Sequence, residues 1–319
     1  MSTLRWSVGR TVATVAAAPL LLLAACGGGG TDALDEGSGD GGGGTVVIGH
    51  QNYTEMEIMA EMYAAVLENA GFDPRLQGVD DRGLYVTAMT KGDVDVAPEY
   101  LSSMTEYLNR EANGPDAEPL ASPDAEQTLS ELDKLAGEQG LTPLEPAEAE
   151  DANAFAVTQE FSESNDVTTL SDLGGLGKPV GLAAAQDCPE RPDCQLGLES
   201  VYGLKISTFE PLGFGTAQTK EAVTSGEVEV GQVGTTDGQL DTLGLVVLED
   251  DKNWQNPENL VPVVTDEFLE ANPEAEEALN ELSSTLTTDD LKELNGKVDN
   301  ERQLAEDVAR EYLTEKGLI

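Results

Sequence analysis

YVTAMTKGDVDVA, residues 85–97, and TKEAVTSGEVEVG, residues 219–231, spell the same local event 134 positions apart. Each reads as the end of a helix, a Lys-Gly-Asp or Ser-Gly-Glu turn, then a short Val-rich strand. Gly92 matches Gly226, Asp95 matches Glu229 and Val96 matches Val230. Upstream, the strand TVVIG ending at Gly49 has a counterpart in KPVGL at Gly181, 132 positions on. Two matches at nearly one offset predict two similar α/β units. Solenoid arrays have shorter periods and more copies. Short strands alternating with helices imply mainly parallel sheets.

Helix starts are marked between these strands. Thr54-Glu55-Met56-Glu57 predicts a capping box, with Ile58, Met62 and Val66 continuing an apolar stripe. Asn272-Pro273 and Thr287 with Asp290 predict two more starts, and residues 301–316 an amphipathic helix packed against the fold. In open α/β sheets ligands sit beyond the carboxyl ends of the strands. Those ends are His50 to Thr54 and Pro98-Glu99-Tyr100 in the first unit, and Ala183 to Asp187 and Gly234 to Asp237 in the second. Two facing lobes would bring all four into one cleft.

The N-terminus reads as an export signal. Arg5 and Arg10 form a positive head with no acidic residue before Thr31, and an apolar run from Thr11 to Ala25 ends in Leu23-Ala24-Ala25-Cys26. The run is shorter than the roughly 20 apolar residues that span a bilayer, and small residues precede the cut. A cysteine directly after Leu-Ala-Ala resembles the bacterial lipobox, which implies a diacylglyceryl (palmitate-type) anchor on Cys26. We therefore expect a signal peptide over 1–25 and a Gly-rich tether over 26–44. The 18 residues from Gly27 to Gly44 would reach about 25 Å r.m.s. as a flexible coil. The remaining 275 residues suffice for a large core.

Seventeen Lys and Arg face 61 Asp and Glu, and removing residues 1–25 takes the net charge from −44 to −46. Such a surface repels nucleic acid and anionic headgroups alike, so only a lipid would hold the chain to a membrane. Cys188 and Cys194, in CPERPDC, are placed to form a disulfide in an oxidising compartment. A zinc site is the weaker alternative, because one histidine leaves too few soft ligands. Gly-x-Ser-x-Gly, His-Glu-x-x-His and Walker signatures are absent from the sequence. No cofactor, metal or catalytic group is expected; an enzyme using His50 and Glu99 is the rival reading.

IGHQNYTEMEIMAEM resembles the opening of the substrate-binding proteins for glycine betaine, choline and carnitine. GDVDVAPEYLSS, the ERPD stretch, GTTDG and LVVLEDDKNWQNPENLVPVV follow in the order of that family. The resemblance implies the type II periplasmic-binding-protein fold, two α/β lobes closing on a small zwitterionic or cationic solute for an ABC transporter permease. It implies a cage tyrosine at Tyr100, a hydroxyl donor at Ser103 and a carboxylate-binding arginine at Arg191, with Asn52 and Thr54 at a helix start. Quaternary ammonium groups donate no hydrogen bonds, and aromatic faces hold them by cation–π attraction. Gln51, Tyr53, Glu99, Phe155, Thr235, Thr236 and Asp237 complete the expected ligand set. Gln51 stands where many relatives have lysine, Phe155 where they often have tyrosine, Glu258 where an aromatic is frequent, and Gly234 supplies no ring. A polyol, aromatic or amino-acid-like solute therefore stays open. The expected lobes are 45–155 with 249–319, and 156–248, crossing near Phe155 and Val261.

Overall fold

The computed structural model describes residues 44–319. The expected signal peptide, Cys26 and nearly all of the tether lie outside the described residues. The chain opens with β1 (Thr45–Gln51), β2 (Asp73–Val79), β3 (Val96–Tyr100) and β4 (Leu141–Pro143). It then builds β5 (Asn153–Thr158), β6 (Pro179–Ala184), β7 (Lys205–Pro211), β8 (Val230–Gly234) and β9 (Leu245–Val247), and returns with β10 (Leu260–Thr265). Two five-stranded sheets result, ordered β2-β1-β3-β10-β4 and β7-β6-β8-β5-β9. In each, three strands run parallel and one antiparallel strand comes from the other side of the crossover. This is the two-lobed α/β architecture that the repeated turn implied.

Strand alternation puts a core on both faces of each sheet. In the first lobe Val46, Ile48, Leu260 and Val264 pack with the helices Thr54–Asn69 and Ala305–Lys316. Val261 and Val263 pack the other way, with Met104, Leu108 and Leu132. The second lobe repeats this around Leu182 and Val230 on one face and Ala183 and Val233 on the other.

The two lobes repeat at the level of single bonds. The Asp95 carboxylate accepts the Val47 amide at 2.8 Å, and the Glu229 carboxylate accepts the Gly181 amide at 2.6 Å. Ile48 pairs with Val96 and Leu182 with Val230. Gly92 and Gly226 take φ of 76° and 74° at equivalent turns, a region costly for residues with a Cβ. The first strands are therefore related by the same 134 positions as the turns. The expected match of Gly49 with Gly181 is two residues out of register, and Ala183 is the counterpart of Gly49.

The connections between sheets run side by side, with Glu150 bridged to Asn259. Phe155 lies past the first of these, inside β5, where it is fully buried and stacks on Trp254 at 6.2 Å between ring centres. The lobes also touch where Gly238 meets Gly296. A Cβ on Gly238 would fall 2.3 Å from the Gly296 nitrogen, and Asn300 donates to the Gly238 carbonyl at 2.9 Å.

Local expectations fared unevenly. Thr287 and Asp290 form the reciprocal capping box. Thr54 does not: Tyr53 is the residue at the helix boundary, and the Thr54 hydroxyl donates to Asp299 at 2.7 Å. Pro273 opens its helix, but the Asn272 amide turns back to the Phe268 carbonyl rather than capping. Cys188 and Cys194 are disulfide-bonded with Cα atoms 5.2 Å apart, buried in the second lobe. A bridge across so short a loop contributes about 2 kcal/mol in the chain-entropy picture.

Candidate functional site

Both lobes contribute to one cleft, made of two cavities that share Tyr53, Asp151 and Phe214. The smaller, about 400 Å³, is lined by Tyr53, Tyr100, Ser103 and Arg82 from the first lobe and by Arg191 and Phe214 from the second. Gln51, Gln255 and Asn256 add amide groups to its wall. Three rings thus surround this space. Tyr53 and Phe214 are 40 % and 47 % exposed, whereas Tyr100 is only 8 % exposed. Tyr100 is pinned by its hydroxyl, which donates to Glu55 at 2.5 Å. A ring fixed before the ligand arrives loses little freedom on binding.

The floor is ionic. Glu99 is 1 % exposed and accepts Arg82 Nε on both oxygens at 3.0 Å, together with the Tyr85 hydroxyl. Arg82 Nε is thus committed to Glu99, and the Arg82 side chain lines the cavity. The neighbouring Glu99 carboxylate holds the guanidinium above its ordinary pKa despite burial. Arg191 reaches the same cavity already matched: its Nε donates to Asp193 at 3.0 Å, and Asp187 lies 3.7 Å away. Asp193 in turn fixes the wall through its carbonyl, which accepts Asn153 at 2.6 Å and Gln255 at 3.1 Å.

Ser103 gives its backbone amide and hydroxyl to Glu258 at 3.0 and 2.8 Å. Burial pushes Glu258 up to about 7, with the two Ser103 bonds acting against it. A carboxyl whose folded pKa exceeds its unfolded value binds its proton more tightly when folded. Stability therefore falls as pH rises from the unfolded value near 4.5 to about 7, then levels. Urea unfolding at pH 5 and pH 7.5 should show a smaller difference for Glu258→Gln than for the parent. Equal differences would mean that the carboxyl is ionised at both values.

The larger cavity, about 580 Å³, continues from the first past Thr54, Glu55, Thr236, Asp237 and Lys220 to Asn295. Lys220 Nζ bridges Asp237 at 2.6 Å and Gln239 at 2.8 Å. Of the residues expected from sequence, Gln51, Tyr53, Tyr100, Ser103 and Arg191 line the smaller cavity, and Thr54, Thr236 and Asp237 the larger. Four line neither. The Asn52 amide donates to Asp80 at 2.9 Å, and Glu99 lies beneath Arg82. Phe155 belongs to the second core, and the Thr235 hydroxyl is spent on the Glu150 carbonyl and the Ala152 amide. His50 is 7 % exposed, with its Nδ1 against the Gln51 carbonyl, and lines neither cavity. Sequence reasoning missed Arg82, Asp151, Phe214 and Asn295; for Arg82, scarcity of basic residues was a usable signal.

Two α/β lobes joined by paired connections, with a ring-lined polar cleft between them, define a solute-binding protein of the periplasmic-receptor class. Residues 44–315 match the family model for the substrate binding domain of the ABC-type glycine betaine transport system, and the chain belongs to that family. It is 31 % identical over 284 residues to the glycine betaine-binding protein YehZ of Escherichia coli, covering 85 % of this chain and 90 % of the relative. The carnitine transport binding protein OpuCC of Listeria monocytogenes is 25 % identical over 275 residues, 84 % of this chain and 86 % of its own length. Apo YehZ from E. coli superposes with a TM-score of 0.73 at 27 % identity, covering 86 % of this chain and 99 % of that one.

Proposed function

We propose that the chain is the extracytoplasmic receptor of an ABC importer for glycine betaine or a related quaternary-ammonium zwitterion, and that it binds without turnover. One observation carries this: Tyr53, Tyr100 and Phe214 share a cavity of about 400 Å³ with the Arg82 guanidinium. The rings suit a cation that donates no hydrogen bonds, each desolvated face giving on the order of 1–2 kcal/mol. Arg82, with the amides of Gln51, Gln255 and Asn256, suits the carboxylate at the other end. Kinship with the YehZ and OpuCC proteins supports the same solute class. Delivery to a permease follows from the family, and Cys26 with its Leu-Ala-Ala predecessor supports a lipid tether to the outer face of the membrane. The intact mass of detergent-extracted protein checks that anchor.

Thermal melting of the purified protein with a panel of solutes tests the ligand. Ligand at a hundredfold excess over Kd stabilises by about 2.7 kcal/mol. Glycine betaine, choline or carnitine should raise the melting temperature. A shift from polyols, phenolics or amino acids alone would overturn the ligand assignment.

A further inference from the structure

The larger cavity offers hydrogen-bond acceptors that a quaternary ammonium, having no donor, cannot engage. Glu55 and Asp151 both line it, and neither has a Lys or Arg within 4 Å among the described residues. The nearby cation, Lys220, is already fixed between Asp237 and Gln239. Asn295, 6 % exposed, donates through Nδ2 to Glu55 at 2.6 Å and to the Thr236 carbonyl at 3.1 Å. Its Oδ1, the remaining polar atom of this cavity-lining side chain, has no partner. An unmet buried acceptor costs about 1–3 kcal/mol, which a donor entering the cavity would relieve. Swapping the amide's O and N does not remove the difficulty, because it would set Oδ1 against two acceptors.

We propose that Glu55, Asp151 and Asn295 Oδ1 form a second cation subsite, next to the aromatic one, for an N–H-bearing organic cation: a primary ammonium or an amidinium on a small solute. The inference rests on the reading of the cleft as a solute receptor. Such a head has several donors, and every group offered to it here accepts. Tyr100 links the subsites, presenting its ring to the smaller cavity and its hydroxyl to Glu55. The receptor would then take solutes of differing N-methylation in adjoining places within one cleft.

The pH dependence follows from the surroundings of Glu55. Asp151 faces it from the connection between lobes, Tyr100 and Tyr53 from the first lobe, Asn295 from the helix Thr288–Asp299, and Thr236 from the second lobe. The Lys220–Asp237 pair lines the same cavity. Burial and the Asp151 charge push Glu55 up to about 7, so a proton leaves the site as pH rises through that value and binding of an N–H cation tightens.

Calorimetric titration with 4-aminobutyrate and its N-trimethylated form, 4-(trimethylammonio)butyrate, tests this directly, since the two share chain and carboxylate and differ in whether the nitrogen bears hydrogens or methyl groups. 4-Aminobutyrate should bind, more tightly at pH 8 than at pH 6. The ammonium-to-quaternary affinity ratio should fall at least tenfold in Asn295→Ala and in Asp151→Asn, with melting curves confirming that each variant is folded. Asp151→Asn removes charge without changing size, so the test survives if Asn295→Ala does not fold. No binding of 4-aminobutyrate, with the quaternary compound still bound, would overturn the second subsite and leave the receptor reading intact. No binding of either would overturn both for this chain length. An unchanged ratio in folded Asp151→Asn would also overturn it, because the carboxylates would then serve both cations alike.

Discussion

Replacing Arg82 with methionine should destabilise the protein by about 3–5 kcal/mol, the usual consequence of stripping a buried charge of its partner. Glu99 is 1 % exposed, and both of its oxygens accept from Arg82 Nε. After the substitution only the Tyr85 hydroxyl and a 3.3 Å contact from the Tyr100 amide would remain on that carboxylate. In a domain of this size the melting temperature should fall by on the order of 10 °C. Adding Glu99→Gln should recover most of the loss, because the charge in need of a partner is gone. Urea unfolding of both variants decides the matter. If the single variant stays within 1 kcal/mol (on the order of a routine surface change), Glu99 does not depend on Arg82 for its stability in the native state.

Tyr100→Ala should weaken glycine betaine binding about thirtyfold, the equivalent of the roughly 2 kcal/mol of a desolvated cation–π contact. Tyr100→Phe keeps the face and loses only the hydroxyl given to Glu55, so its affinity should drop by less than about fivefold, within the net worth of one hydrogen bond. Calorimetric titration of both distinguishes the ring from the hydroxyl. Equal losses would place the importance of Tyr100 in its bond to Glu55 and not in its face.

Much of the architecture could be read from the sequence because it is written in short range. The Lys-Gly-Asp and Ser-Gly-Glu turns, and the alternating valines after them, need only a few adjacent residues to be recognised. The family resemblance, carried by one uninterrupted motif at the end of β3, put Tyr100 and Ser103 in the cavity wall, although the Ser103 hydroxyl expected for a solute goes to Glu258. Arg82, Asp151, Phe214 and Asn295 meet in the cleft from four remote stretches of the chain, and no local spacing announces that meeting. Asp151 is further hidden among 61 acidic residues. Thr54 failed as a cap because a competitor 245 positions away, Asp299, takes its hydroxyl. Phe155 was assigned to the cleft by position in the family pattern, but Trp254 offers it a ring to stack on inside the second core. Tertiary partners of this kind override local preference without leaving a mark in local sequence.

The matched bonds from Asp95 to Val47 and from Glu229 to Gly181 bear on how such a receptor can change its diet. Each half fastens its own central strands on its own carboxylate, away from the residues that line the two cavities. Mutations in the strand-exit segments can accumulate in one half while the other keeps its contribution to the solute. Variants selected for a new nutrient should therefore gather around Tyr53, Tyr100 and Phe214, and spare both carboxylates.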